Sequence, residues 1–242
     1  MWRMHGLLAG LLAATAPPVQ AAICTEPAWE GVPMVACEVD PTLTDLRLFH
    51  TGPDGKILGR FCRVEDMARA EGKSPAFAMN AGMSRQDHAP VGLYTENRQE
   101  IAPLITHRGS GNFGLLPNGV FRVRKGRADV PETKHFAIIR PDCTSASQSG
   151  LLPVIDGTLH PRFLEGSTSV YTRNGVGTSH DGTRAVFVIA DEQGNFHRFE
   201  RFFRDAPETP NALYFDGSIS NLRWLAGRCR DFGLSMGPIM GV

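Results

Sequence analysis

Four short segments of the sequence combine polar side chains with glycines next to apolar runs. They are 78–83 (AMNAGM), 147–150 (SQSG), 173–177 (RNGVG) and 211–220 (NALYFDGSIS). Amides, hydroxyls, a guanidinium and a carboxylate can bind a polar or anionic ligand, and glycines let the backbone come close to it. We expect these segments to be loops at strand ends that together line one polar, anion-capable pocket.

Two of the candidate residues carry charge. The planar fork of Arg173 suits a phosphate or carboxylate, and Asp216 follows an apolar strand into a Gly/Ser loop whose amides and hydroxyls can hold an anion. The groups expected to contact a ligand are those of Asn80, Gly82, Gln148, Ser149, Asn174, Gly217, Ser218 and Ser220. The Asn-Gly and Asp-Gly steps also fit ordinary turns, so the residues alone leave a turn and a binding site as alternatives.

Other kinds of chemistry find little support in the sequence. It has no GxSxG, P-loop, HExxH or GxGxxG–helix pattern, and no CxxC or closely spaced His pair for a structural metal. A hydrolase with Ser149 or Ser218 as nucleophile lacks an identifiable His partner. Lys plus Arg and Asp plus Glu both number 25, so no basic excess favours nucleic acid. We expect no cofactor and no metal.

The elements that position these segments are short strands separated by turn signals. Apolar runs flank Asn118-Gly119, another run precedes Asp156-Gly157, and a third follows Asp181-Gly182, which predicts hairpins at these steps. Residues 64–71 and 195–205 have helical periodicity, and the second segment places Phe196, Phe199, Phe202 and Phe203 on one face. The expected fold is a single α+β domain with a mixed, mainly antiparallel sheet, hairpins and two or three flanking helices.

The first 21 residues are typical of a secretory signal. A short polar start precedes an apolar run, and Val19 and Ala21 are small residues where a signal peptidase reads, so we expect cleavage before Ala22. The alternative is an N-terminal anchor, but the run has roughly half of the ~20 residues that a membrane helix needs. We expect a domain at 22–242, periplasmic or secreted, with no membrane span after cleavage.

If the protein is exported, its cysteines can form disulfides, because disulfides persist in oxidising compartments. Cys24 and Cys37 flank a segment that can fold back as a hairpin, and we expect a bridge between them that fixes the terminus. A bridge between Cys143 and Cys229 is a weaker expectation.

Eight segments occur in an order that resembles the phosphodiester glycosidase family, in particular its short, exported bacterial branch. The resemblance runs from about Trp29 to Leu222 and rests on AMNAGM, PVGLY, NFGLLPNGVF, SQSG, VIDGTLHPRF, RNGVG, AVFVIA and NALYFDGSIS. It implies hydrolysis of a sugar joined through its anomeric carbon to a phosphodiester, which releases the sugar and a phosphomonoester. The substrate is then a small molecule or an envelope glycan that carries a sugar phosphate.

In that reaction Arg173 is expected to clamp the phosphate and Asp216 to serve as base or electrostatic stabiliser. The side chains expected to position sugar or phosphate oxygens are those of Asn80, Gln148, Ser149, Ser218 and Ser220, and Asp156 and His160 are reserve candidates. The fourth segment departs from the family pattern at Ile219, whose bulk is expected to narrow the pocket. The competing interpretation is a non-catalytic exported module that binds an envelope sugar or sugar phosphate. If the chain is a hydrolase of this kind, the side chains of Asn80, Arg173 and Asp216 should converge on one concave site.

Overall fold

Short antiparallel strands dominate the computed structural model, which describes residues 22–73, 75–163, 165–166, 168, 171–190, 194–224 and 234–242. The strands are β1 (Ile23–Thr25), β2 (Ala28–Trp29), β3 (Val32–Val39), β4 (Arg47–Phe49), β5 (Ala78–Asn80), β6 (Tyr94–Glu96), β7 (Gln99–Ala102), β8 (Asn118–Arg124), β9 (Arg127–Asp129), β10 (Ser145–Leu151), β11 (Val154–Ile155), β12 (Thr158–Leu159), β13 (Asn174–Thr178), β14 (Ala185–Ala190), β15 (Asn211–Tyr214), β16 (Leu222–Arg223) and β17 (Ile239–Gly241). The helices are α1 (Phe61–Ala70), α2 (Gly111–Gly114), α3 (Thr133–Ile139) and α4 (Phe196–Asp205). The expected signal segment, 1–21, lies outside the described residues.

The strands form three sheets. The largest has the order β1-β3-β14-β13-β15-β11-β12, with β2 also paired to β3; the second has the order β7-β6-β10-β8-β9, and the third β16-β5-β17-β4. The pairings that build these sheets from the described residues are antiparallel. The α+β fold with mainly antiparallel sheets is confirmed, and the described residues contain four helices, one of them only four residues long.

A central hydrophobic core lies between the three sheets, and helices cover their outer faces. Strand β14 contributes side chains to two hydrophobic clusters, one on each face of the largest sheet. Phe187 and Ile189 point into the central core, whereas Val186 and Val188 belong to the cluster under α4. Because both faces of β14 are buried, its sequence is a continuous apolar run and does not alternate with polar residues.

Helix α4 packs on the outer face of the largest sheet. Its first turn is capped by Asn195, whose side chain accepts a hydrogen bond from the amide of Arg198 at 3.0 Å. The residues that pack against the sheet are Phe196, Phe199, Phe202 and Phe203. The expectation that this Phe face packs onto a sheet is confirmed. No helix among the described residues has both the length and the apolar character needed to cross a bilayer.

Several local expectations need correction. The hairpins at Asp156-Gly157 and Asp181-Gly182 are present, but Asn118-Gly119 lies inside strand β8 and not in a turn. The segments 147–150 and 174–177 lie within strands β10 and β13, although their polar and glycine-rich composition predicted loops. In both cases strand neighbours on two sides satisfy the backbone and override the local composition.

Cysteines stabilise the start of the described chain. Cys24 and Cys37 form a disulfide between β1 and β3, as expected. The expected bridge between Cys143 and Cys229 is wrong, because Cys143 is a free, half-buried thiol. Cys62 is also disulfide-bonded, and Cys229 lies outside the described residues.

Candidate functional site

The end of β5, the start of β13 and the loop after β15 meet at one place. Strands β13 and β15 are neighbours in the largest sheet, with Gly175 opposite Tyr214. Strand β16, which follows the loop, pairs with β5 in the smallest sheet. These pairings bring Asn80, Asn174 and Asp216 together from three distant parts of the sequence.

Asn80 and Asn174 form a buried pair that holds both ends of the loop 216–221. Asn174 donates through Nδ2 to Asn80 Oδ1. Asn174 Oδ1 accepts from the amide of Asp216 at 3.0 Å, and Asn80 Oδ1 accepts from the amide of Asn221 at 3.1 Å. These contacts fix the orientation of both side-chain amides, because exchanging oxygen and nitrogen would place donors against donors.

Asn80 Nδ2 is buried and has no hydrogen-bond partner among the described residues. The whole residue is only 2% exposed. Leaving such a donor unsatisfied costs about 1–3 kcal/mol, and native proteins usually satisfy it with water or a ligand. Asn80 Nδ2 can therefore donate a hydrogen bond to an oxygen atom of a bound molecule.

Asp216 is half-buried and bonded to its own loop. Its Oδ1 accepts from the amides of Gly217 at 2.6 Å and Ser218 at 2.9 Å. Burial raises the pKa of Asp216 above its ordinary value, and these backbone hydrogen bonds oppose that shift. The backbone amides of Gly217 and Ser218, which are expected from the sequence to bind an external anion, thus bind the Asp216 carboxylate. The Ser218 side chain is exposed.

The rest of the loop is closely packed. Ser220 Oγ lies 2.9 Å from the carbonyl oxygen of Asp216 and 3.1 Å from that of Thr172, so its proton is donated to the backbone. A Cβ atom on Gly217 would lie 2.3 Å from Tyr214 Oη. Only glycine fits at this position without displacing the tyrosine.

Arg173 lies beneath the loop and is fully buried. Its guanidinium carbon is 3.5 Å from the ring centre of Phe196, 5.3 Å from that of Tyr171 and 5.5 Å from that of Tyr214. Nε donates to the carbonyl of Gly194 at 3.1 Å, and Nη1 approaches Tyr214 Oη at 3.5 Å. Burial lowers the pKa of Arg173. Arg173 lies directly before strand β13, and rings from α4 and β15 enclose its side chain.

Strand β10 supports the site with alternate side chains. Ser149 Oγ donates to the carbonyl of Phe215 at 2.8 Å, and Ser147 Oγ donates to the carbonyl of Ala81 at 2.5 Å. Gly82 has a φ of 142°, and a Cβ atom there would lie 2.7 Å from Ser147 Oγ. The two serines therefore hold the backbone on either side of the Asn80–Asn174 pair.

Gln148 points away from these serines, as the alternation of side chains along a strand requires. Its Oε1 accepts from the amides of Leu93 and Ile105, and its Nε2 donates to the carbonyl of Ile105 and to Thr133 Oγ1. The structure thus does not bring Gln148 to the other candidates. All four hydrogen-bonding positions of its side-chain amide are used within the protein.

The reserve candidates are separated from the loop 216–221. Asp156 occupies the β11–β12 turn and contacts Asn211, which lies at the far end of β15. His160 is buried, with its pKa lowered by burial, and its ring stacks on Phe163. Phe163 stacks in turn on Phe196, the ring beneath Arg173. A continuous stack of planar groups thus joins His160 to the site.

Sequence reasoning did not single out three residues that shape the site, Tyr171, Tyr214 and Asn221. Tyr214 is buried, and burial raises its pKa to about 12, so it stays protonated beneath the loop. Tyr171 lies two positions before the start of the RNGVG segment, and Asn221 directly follows the fourth segment. Extending the two segments by one or two residues would have included both. Within the described part of the chain, no group of three His, Cys, Asp or Glu side chains is arranged to hold a metal ion.

Known proteins share both sequence and fold with this chain. The family model of phosphodiester glycosidases matches residues 73–233. The uncharacterized protein YigE of Escherichia coli strain K12 is 29% identical over 192 residues, which cover 79% of this chain and 74% of that protein.

Two solved structures have similar folds. One is the catalytic domain of zebrafish N-acetylglucosamine-1-phosphodiester alpha-N-acetylglucosaminidase, auto-inhibited by its pro-peptide. It has a TM-score of 0.59 and 15% identity, over 91% of this chain and 81% of that chain. The other is a putative exported protein from Burkholderia pseudomallei, with a TM-score of 0.58 and 10% identity, over 87% of this chain and 74% of that chain. At these identities the structural similarity shows a common fold.

Proposed function

The chain belongs to the phosphodiester glycosidase family, and from this premise we propose that it is an exported hydrolase of sugars linked through the anomeric carbon to a phosphodiester. The observation that carries the proposal is the convergence of Asn80, Asn174 and Asp216 at one partly buried loop. The zebrafish relative, which shares the fold, is named for a reaction at a sugar-1-phosphodiester.

The proposed reaction uses water as the nucleophile. Water attacks the anomeric carbon, the bond from that carbon to the phosphate oxygen breaks, and the bonding electron pair leaves with a phosphomonoester. Because a phosphate is already a good leaving group, the site needs less help from a general acid than a glycosidase with two carboxylates. It still needs a carboxylate near the anomeric carbon and positive charge near the phosphate.

We assign the carboxylate role to Asp216. The Asn174 side chain fixes its backbone, and two loop amides fix its Oδ1. A fixed, half-buried carboxylate can accept the proton of the attacking water or stabilise positive charge at the anomeric carbon. The raised pKa of Asp216 brings its basicity closer to what a general base needs.

We assign the positive charge to Arg173. Its guanidinium lies beneath the loop and approaches Tyr214 Oη, which packs against Gly217. A buried cation acts through a medium of low dielectric constant and favours an anion bound above the loop. Because the Arg173 side chain is fully buried, we propose that it acts on the phosphate through this field and not by direct contact.

The remaining polar groups divide into ligand contacts and supports. Asn80 Nδ2 and the exposed Ser218 hydroxyl are proposed to contact substrate oxygens. Asn174, Ser149 and Ser220 hold the loop through their hydrogen bonds. Gln148 is left out of the ligand contacts.

Export is part of the proposal. The disulfide between Cys24 and Cys37 is of the kind that persists in the periplasm or outside the cell. The N-terminal sequence supports the same conclusion, since residues 1–21 have the features of a secretory signal. The substrate is then a molecule or a glycan outside the cytoplasm.

The experiment incubates the purified protein with a panel of alkyl diesters of sugar 1-phosphates in water enriched in ¹⁸O. We expect release of sugar together with an alkyl phosphate that contains no ¹⁸O, because the carbon–oxygen bond breaks. Incorporation of ¹⁸O into the phosphate would show phosphodiesterase chemistry and contradict the proposal. Saturable binding of the diesters without turnover would favour the non-catalytic sugar-phosphate-binding module.

A further inference from the structure

Tyr171 is an exposed aromatic residue at the edge of the candidate site. It is 47% exposed, whereas the other two tyrosines, Tyr94 and Tyr214, are buried. Its backbone forms an isolated bridge with Gly194, with N–O distances of 3.3 and 3.1 Å in the two directions. The backbone is thus fixed while about half of the residue's surface faces solvent.

The Tyr171 side chain lies against the loop that carries Asp216. A Cβ atom on Gly217 would be 3.2 Å from Tyr171 Cβ and 3.5 Å from its Cγ, so the side chain packs directly on this glycine. The amide of Gly217 donates to Asp216 Oδ1 at 2.6 Å. The packed glycine therefore directly follows the residue that carries the proposed catalytic carboxylate.

Arg173 fixes the orientation of the ring. Its guanidinium carbon lies over the ring of Tyr171, 5.3 Å from the centre, and a cation at one face of an aromatic ring is attracted to its π electrons. Because the guanidinium lies on one face of the ring, a ligand that stacks on Tyr171 has to use the opposite face. An exposed, oriented aromatic face beside buried hydrogen-bonding groups is a binding surface for a ligand that is apolar on one side and polar at its rim.

We propose that the exposed face of Tyr171 is the surface on which the sugar ring of the ligand stacks. A pyranose presents C–H groups on its faces and hydroxyls around its rim, and C–H groups pack favourably on an aromatic face. Tyr171 then selects pyranoses with a face of C–H groups, while Asn80 and Ser218 contact rim oxygens. The identity of the ligand as a sugar rests on the proposed function, but stacking requires no hydrolysis.

The binding test uses saturation-transfer NMR with methyl α-D-glucopyranoside, methyl α-D-galactopyranoside and methyl α-D-mannopyranoside. The open-chain polyol sorbitol, which lacks a rigid C–H face, is the negative control. We expect at least one glycoside to bind with its strongest saturation on C–H protons of one face. Tyr171→Ala is expected to weaken that binding about threefold to tenfold and Tyr171→Phe to leave it nearly unchanged. Ile138→Ala, at an exposed apolar residue of α3, is the matched control.

The kinetic test uses whichever sugar phosphodiester the protein hydrolyses. Tyr171→Ala is expected to raise KM about threefold to tenfold while kcat changes less than KM, and Tyr171→Phe is expected to restore KM. Unchanged binding in Tyr171→Ala, or equal losses in the Phe and Ala variants, would overturn the proposal, as would the absence of binding by all three glycosides. If no diester is hydrolysed but glycoside binding depends on Tyr171, the sugar surface stands and the hydrolase proposal fails. If Tyr171→Ala hydrolyses the diester with unchanged KM and kcat, the hydrolase proposal stands and the proposed sugar surface fails.

Discussion

The acidity of Asp216 depends on two opposing contributions. Burial raises its pKa and is the larger one, whereas hydrogen bonds from the amides of Ser218, Gly217 and Ile219 lower it. The Asn80–Asn174 pair holds the backbone in the position where both contributions act. The charge of this carboxylate is therefore the quantity that separates a catalytic role from a turn residue.

The substitution Asp216→Asn removes that charge and keeps the shape of the side chain. If Asp216 activates water or stabilises the anomeric centre, kcat should fall by roughly 10²-fold or more while KM changes little, because the lost interaction is made in the transition state. Steady-state kinetics on an accepted sugar phosphodiester measures both constants. A near-normal kcat in this variant would reduce Asp216 to a turn residue.

The pH dependence of kcat/KM tests the same carboxylate without a substitution. The base must be ionised, so activity should be present above the pKa of Asp216 and lost as the pH falls through it. Since burial raises this pKa, the acid limb should have its midpoint above the ordinary value of 3.8. The pH profile of the residual activity of Asp216→Asn should lack this acid limb. If the variant shows the same acid limb, the limb belongs to another titrating group.

The sequence predicts the structural position of some candidate residues better than that of others, for a physical reason. Asn80 and Asp216 stand at the ends of apolar strands, so a local pattern places them correctly. The environment of Arg173 depends on Phe196, which belongs to a helix later in the chain, and no local pattern reveals that enclosure. The role of Gln148 likewise depends on the backbone of Ile105, which reaches β10 only through the tertiary fold.

At the scale of elements, the glycines of β13 explain why its sequence predicts a loop although the segment forms a strand. Glycines lower strand propensity, yet a Cβ atom on Gly175 would lie 2.4 Å from the carbonyl oxygen of Leu213, and one on Gly177 would lie 2.2 Å from Thr209 Oγ1. The strand needs glycines because β15 and α4 come close to it. The sequence of β14 contains no glycine and is apolar throughout, so its composition agrees with a buried strand. The strand predicted there is confirmed.

The substitution Gly175→Ala should therefore destabilise the protein. The contacting atom belongs to the backbone of β15, which cannot rotate away, so we expect a loss of about 1–3 kcal/mol in the free energy of unfolding. Urea denaturation measures the change. Gly166→Ala is the matched control, since a Cβ atom there meets nothing within 4 Å. Equal stabilities of the two variants would show that β13 and β15 are less closely paired than described.

Helix α4 carries a second element-scale prediction in its buried Glu200. Its Oε2 accepts from the amide of His160 at 3.1 Å, while burial raises its pKa from 4.5 to about 8. The folded protein then keeps a proton that the unfolded chain releases above about pH 4.5. Unfolding releases this proton between those pH values, so stability should fall as the pH rises from about 4.5 to about 8.

The variant Glu200→Gln should remove this contribution. We expect Tm to fall less between pH 5 and pH 8 in the variant than in the parent protein, because glutamine has no proton to release. Thermal unfolding followed by circular dichroism gives both slopes, and Glu26→Gln, at an exposed position, is the control. Parallel slopes in parent and Glu200→Gln would mean that Glu200 is already ionised in the folded state.

At the scale of the whole molecule, the residues that follow the expected cleavage position belong to the largest sheet and the central core. Ala22 is buried in the central core, β1 starts at Ile23, and the disulfide joins Cys24 to Cys37 in β3. Strand pairing and the disulfide together fix residues 22–25 in the fold, directly after the expected cleavage position. Removal of three further residues would delete Cys24 and break the bridge.

Processing should therefore occur at or next to the bond between Ala21 and Ala22. Signal peptidases read small residues one and three positions before the cut, which Ala21 and Val19 supply. Intact-mass analysis of the exported protein should give a chain that starts at Ala22, with Cys24 and Cys37 linked. Ala21→Lys should block processing and leave the longer chain, while Gln20→Ala, between the two read positions, should be processed normally. An exported parent protein whose mass still includes residues 1–21 would show that the segment is retained, as the anchor alternative requires.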